Sequence, residues 1–270
     1  MINIELSEKG QALAPATKRI NASAFKNNNT CEIYWLGGGG AMINSYGTII
    51  MIDPVLAGFD MPLLREVPIL PEEVLKLDAL LITHIDSDHF SHTTCQKLGA
   101  VCKEYHSTHY VAGAMQAEGI NSIGHDIGES FQIGDMKITL TKTKHNWQNE
   151  WKEYQYRKWE EEEYCGYLIE VRGKSIWMPG DSKLIKEHLC MNQPDVILFD
   201  FSEDDWHITL DGAVKLANSY PESELICIHY GCIDAPDMAP FNGNPMDLFE
   251  RVVHPERIKV LAPGEQYILK

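Results

Sequence analysis

An α/β fold is predicted by two observations and one absence. Short apolar runs such as Asp78 to Thr83, Ser175 to Met178, Asp195 to Phe201 and Leu225 to His229 have the length and composition of fully buried strands. Between them lie stretches with helix start and stop signals, among them Ser91 to Gly99, Val111 to Glu118 with Gly119 behind it, and Thr209 to Ser219. No run of 18 or more apolar residues occurs, so no membrane span is expected.

Taken in order, residues 1–30 are polar and weakly periodic and read as a leader, helical or loose, of unknown role. Residues 31–270 read as one domain, since 270 residues with 44% hydrophobic content can build one large core. Glu32 to Leu36 is a strand, Gly37 to Gly40 a tight turn, and Ala41 to Ser45 and Thr48 to Ile52 are the next two strands, closing on Asp53-Pro54. The four glycines are followed by neither Lys-Ser/Thr nor a helix start, so a turn is expected there rather than a phosphate cradle. Asp53 is expected to brace the histidine loop through hydrogen bonds. Prolines at 54, 62, 68 and 71 make the next stretch a loop, where Phe59, Met61 and Leu63 either contact substrate or cover core. Ala100 to His106 is expected as a strand and Phe131 to Thr141 as a hairpin turning at Gly134-Asp135.

The chemistry concentrates where the run from Leu80 ends, in His84-Ile85-Asp86-Ser87-Asp88-His89. Two imidazoles and two carboxylates in one strand-to-helix loop form a metal site far more specific than a lone histidine. Positions 84 and 86 alternate and can face one ion. The adjacent pair Asp88 and His89 must diverge and can serve a second. Two ions roughly 3.5 to 4 Å apart would activate water at neutral pH and polarise the bond it attacks.

This run resembles the His-x-His-x-Asp-His signature of the metallo-β-lactamase superfamily, with Asp86 where the second His is usual. Further matches follow in the superfamily's order: His145 after a strand, Met178-Pro179-Gly180-Asp181-Ser182, and Ile226-Cys227-Ile228-His229-Tyr230-Gly231. The resemblance spans Ile33 to about Leu269. It implies a four-layer αββα sandwich, α/β in class with α+β segregation, and two divalent metal ions at one edge of the sheets, of manganese, zinc or iron. His84, Asp86 and His145 would hold one ion, Asp88, His89 and His229 the other, and Asp181 would bridge them. The loop at Thr209 and the ending His-Tyr-Gly look most like the subgroup that includes the ascorbate-6-phosphate lactonases. A carboxylate at 86 lowers the charge of the centre and suits manganese or iron better than an all-histidine set.

The expected activity is metal-dependent hydrolysis of an ester, lactone or phosphodiester of a small molecule, with Asp88 orienting the attacking water and Asp181 and His207 completing the catalytic set. Iron-dependent redox or oxygen chemistry and metal-dependent ligand binding without turnover are the alternatives. Residues 146–164 are expected as a helical lid, with Trp147, Trp151 and Tyr154 on one face and Arg157 or Lys158 meeting an anionic substrate group. The same face would equally suit packing on the core or on a second subunit of a homo-oligomer. A net charge of −16 argues against nucleic acid and anionic membranes as partners. Seven cysteines without framework spacing fit reduced thiols and a cytoplasmic setting.

Overall fold

The computed structural model describes residues 4–270. Strands β1 (Cys31–Gly37), β2 (Gly40–Ser45), β3 (Thr48–Ile52), β4 (Ala79–Leu81), β5 (Tyr105–Thr108) and β6 (Ser122–His125) lie side by side in one sheet. Strands β7 (Ser130–Ile133), β8 (Met136–Lys142), β9 (Cys165–Val171), β10 (Lys174–Met178), β11 (Val196–Phe199), β12 (Glu224–Cys227) and β13 (Ile258–Lys259) make the second. The last strand, β14 (Gln266–Leu269), returns to the first sheet beside β1. Each sheet runs through three antiparallel pairings and then three parallel ones, from β14 to β6 and from β7 to β13. The two halves of the chain therefore repeat one topology.

The period-2 geometry of a strand explains why β1 to β4 are apolar on both faces. Ile33, Trp35, Ile43, Ile50, Ile52 and Leu81 point into a core shared with Ile138, Leu140, Tyr167, Ile169 and Trp177 of the second sheet. Their neighbours Tyr34, Leu36, Met42, Ile49, Met51 and Leu80 point the other way, onto Cys95 and Leu98 of α1 (His92–Leu98) and Val111 and Met115 of α2 (His109–Ala117). Ala213, Leu216 and Ala217 of α3 (Leu210–Ser219) cover the outer side of the second sheet, next to a short α4 (Met246–Phe249). This is the expected α/β sandwich, two mixed sheets flanked by helices. Among the described residues no helix is long and apolar enough to cross a membrane.

Three local expectations are corrected. Ala100 to His106 is a strand only from Tyr105, because residues 101 and 102 still fold back on Leu98 through backbone hydrogen bonds. The short β6 was not expected at all. And residues 146–164 form three separate 3₁₀ turns, at 147–150, 152–154 and 161–163, in place of one helix. Asn149 is the cause: its side chain donates to the Trp159 carbonyl (2.8 Å) and accepts from the Trp159 amide (2.9 Å). Such side-chain bonds offer the backbone an alternative to the helical ladder.

The described part of the leader, residues 4–30, is docked on the fold rather than loose. The Ala14 amide donates to the Gly231 carbonyl (3.1 Å), Lys18 to Pro263 (2.8 Å) and Ile20 to Pro68 (3.0 Å). Gly264 makes the passage possible, since its φ of +79° is in the left-handed region and an added Cβ would overlap the Lys18 carbonyl oxygen. Gly264→Ala is expected to destabilise the protein by about 3 kcal/mol through strain and loss of that docking, read by urea denaturation.

Candidate metal centre

The first half of the site is assembled around Asp53, at the end of β3. One of its carboxylate oxygens accepts the Thr83 amide (2.7 Å), while the other accepts the Thr83 hydroxyl (2.6 Å) and His89 Nδ1 (2.8 Å). Because the Thr83 hydroxyl donates to Asp53, it accepts from His84 Nδ1 (2.9 Å), which leaves Nε2 as the ring nitrogen facing the site. That nitrogen is buried and has no hydrogen-bond partner. The glycine turn also serves the site, because a Cβ on Gly39 would overlap the His89 ring.

The second sheet supplies the rest from the loops after its strands. His145 Nδ1 donates to the Trp206 carbonyl (2.9 Å), His229 Nδ1 to the Pro240 carbonyl (3.0 Å) and His207 Nδ1 to Asp200 (2.6 Å). Thus all five imidazoles are held by Nδ1, and their Nε2 atoms converge on Asp181 Oδ2: His89 at 3.1 Å, His229 and His207 at 3.6 Å, His84 and His145 at 4.0 Å. Binding Nδ1 to a carboxylate or carbonyl is how proteins orient a histidine that ligates through Nε2.

Three overlapping donor groups share Asp181, and the expected ligands fall in two of them. Asp88, His89, Asp181 and His229 form one, their ligand atoms within 4.8 Å of one another, and His84, His145 and Asp181 form the other. Asp86 belongs beside the second group, with Oδ2 3.4 Å from His84 Nε2 and 3.3 Å from His145 Nε2. His207 and Asp200 make the third group with Asp181 and His229, again with ligand atoms within 4.8 Å of one another.

The electrostatics follow from five carboxylates, Asp53, Asp86, Asp88, Asp181 and Asp200, packed with five imidazoles. Burial pushes the Asp181 carboxyl up, but His229 and His89 outweigh it and hold it well below the usual carboxylate range. Asp86 and Asp88 are lowered in the same way, against burial, by His84 and by His89 respectively. Burial pulls His229 down while Asp181 and the Asp88 hydrogen bond pull it up, to about 10. His89 is likewise raised by Asp181 and Asp88. The carboxylates thus demand positive charge at the imidazoles, which protons or metal cations can supply in competition. Imidazole and carboxylate donors with an orphaned Nε2 among them fit divalent first-row cations.

The expected substrate residues fare differently. Trp147 is turned onto Asp86: its indole N–H donates to Oδ2 (2.8 Å), and Gln148 donates to Oδ1 (3.0 Å) while accepting from the Tyr164 hydroxyl (2.6 Å). Trp147 therefore holds Asp86 in place. Trp147→Phe is expected to weaken metal binding by about ten- to hundredfold, measured by titration against a chelator. Trp151 is exposed, its ring set edge-on to Trp147. Arg157 does not reach toward a substrate: its guanidinium lies 3.6 Å over the Trp159 ring and pairs with Glu163 at 2.7 and 2.8 Å. Lys158 pairs with Glu160 on the surface. Asp200, Gln148 and Tyr164 were not singled out from sequence.

A family model described as a beta-lactamase superfamily domain matches residues 48–230, and the chain belongs to the metallo-β-lactamase superfamily. A UPF0173 metal-dependent hydrolase of Methanosphaera stadtmanae is 27% identical over 84% of this chain and 94% of its own. A second, from Pyrococcus furiosus, is 23% identical over 80% and 90%. Igni18, a metallo hydrolase from Ignicoccus hospitalis, superposes with a TM-score of 0.69 at 21% identity, covering 89% of this chain and 99% of its own, which supports the fold. These relatives and the superfamily place the chain among the metal-dependent hydrolases.

Proposed function

We propose that the chain hydrolyses an ester, lactone or phosphodiester of a small molecule at a centre built for two divalent ions. The observation that carries this reading is the pair of donor groups meeting at Asp181 Oδ2. His84, Asp86 and His145 would hold one ion, Asp88, His89 and His229 the other, with Asp181 between them. When bound, such ions supply Lewis acidity and lower the pKa of water. The carboxylate at 86 favours manganese or iron, with zinc also compatible. The lactonase-like sequence features put lactones on the list of substrates to test. The charge of −16 favours a small substrate over nucleic acid.

The protein's own groups divide the remaining work. Asp88 is half-buried, with Oδ2 3.4 Å from His229 Nε2, and is placed to orient the attacking water. His207 is buried and held by Asp200, whose other oxygen accepts the Ser202 amide (2.8 Å). Burial pulls the His207 imidazole down, but Asp200 raises it further, favouring a proton on Nε2 beside Asp181. That proton is available to the departing oxygen. His207→Gln is expected to lower kcat by about 10²- to 10⁴-fold on an alkyl ester and far less on a nitrophenyl ester, whose leaving group needs no proton. Equal losses on both would contradict the assignment. The function itself is tested by loading the metal-free chain with manganese, zinc or iron and measuring turnover of lactones, aryl esters and phosphodiesters; no turnover by any form would refute it.

A further inference from the structure

A small cleft bordered by Asp88 lies between the glycine turn, the 55–67 loop and the segment after His229. Its walls are largely apolar: Leu36, Val55, Phe59, Leu63, Val67 and Ile233. One cation lines it, Arg65, and its guanidinium is only partly engaged. Nε donates to the Ala14 carbonyl (2.6 Å) and Nη1 to the Leu64 carbonyl (3.1 Å), while among the described residues no carboxylate pairs with it. Both contacts are to neutral carbonyls, so no contact among the described residues neutralises the charge. Glu66 also borders the cleft, but its side chain is exposed. An uncompensated, half-buried guanidinium in an apolar channel is a specific arrangement, because burying a charge without a counter-charge is costly unless a ligand provides one.

We infer that Arg65 is a specificity residue that binds an oxyanion, carboxylate or phosphate, at the far end of a substrate whose scissile group lies beside Asp88 and whose middle is apolar. The inference rests on the hydrolase reading and adds a substrate class to it: elongated, apolar in its linker and anionic at the end remote from the reacting bond. Two contacts hold Arg65 in place through the leader and its own loop, so the planar fork is pre-oriented and its remaining N–H groups are free for an acceptor. This is the anion-binding role that Arg157 and Lys158, both paired with glutamates, do not fill.

Binding tests it without relying on turnover. The full chain, loaded with zinc, is titrated calorimetrically with α,ω-dicarboxylates from succinate to suberate and with monocarboxylates of equal carbon number. One carboxylate can occupy the metal centre in both series, and only the dicarboxylate offers a second to Arg65. At one chain length the dicarboxylate is expected to bind at least about tenfold more tightly. In Arg65→Gln the preference should reverse, because a charged tail would enter an apolar cleft with no partner. Arg65→Lys, which keeps the charge without the fork, should retain part of it. Thermal melting and metal content of each variant separate loss of the interaction from loss of the fold. A metal-loaded native chain with no dicarboxylate preference at any length, or a preference unchanged in Arg65→Gln, overturns the Arg65 assignment and leaves the hydrolase reading standing. A native chain that holds no metal overturns both.

Discussion

Asp181→Ala is expected to abolish turnover, by at least about 10³-fold, the upper end of what loss of one preorganised electrostatic group costs. Asp181 Oδ2 is the common neighbour of all five Nε2 atoms, at 3.1 to 4.0 Å. Both donor groups include it, so its loss removes a ligand from each at once. The variant should fold, since the buried carboxylate makes no hydrogen bond to the backbone and the cores lie elsewhere. Metal content should fall along with activity, and thermal melting should change little. Retained turnover would mean that Asp181 is not shared between two ions.

Gly39→Ala should have the second largest effect, although it adds a single methyl group and changes no ligand. An added Cβ would overlap His89 Cε1 and sit 2.9 Å from Nδ1. The imidazole has no simple retreat: Nδ1 is fixed to Asp53, which is itself held by two bonds from Thr83. Either the glycine turn or the His89 ring must shift, and a displacement near 1 Å costs about 10²-fold in a positioned site. The expected result is a loss of at least that size in kcat/KM, with one group of donors binding metal more weakly than the other. A variant with native kinetics would show that the turn is free to move.

Most of the residues that cluster at Asp181 were legible from sequence because they share one physical context. His84, His145, Asp181 and His229 each follow a strand, where side chains from separate parts of the chain can converge, and the run from His84 to His89 concentrates four donors in six residues. The two-sided apolar pattern of β1 to β4 likewise anticipates strands covered on both faces. What escaped detection depends on contacts distant in sequence. Asp200, inside the run expected as a buried strand, shows no role until His207 folds back on it. The spacing of Trp147, Trp151 and Tyr154 suggests a helix, and only the pairing of Asn149 with Trp159 shows otherwise. The leader docks through backbone bonds to Gly231, Pro263 and Pro68, which leave no mark in residue type. Arg65 gained interest only when the structure placed it in the cleft that ends at Asp88.

Two donor groups, one of them completed by Asp86, are proposed each to hold an ion. This is tested most directly by elemental analysis of the protein after loading with manganese, zinc or iron and desalting. About two ions per chain are expected, falling toward one in Asp86→Ala and further in Asp181→Ala. A native chain that retains one ion or none with all three metals would contradict the dinuclear account.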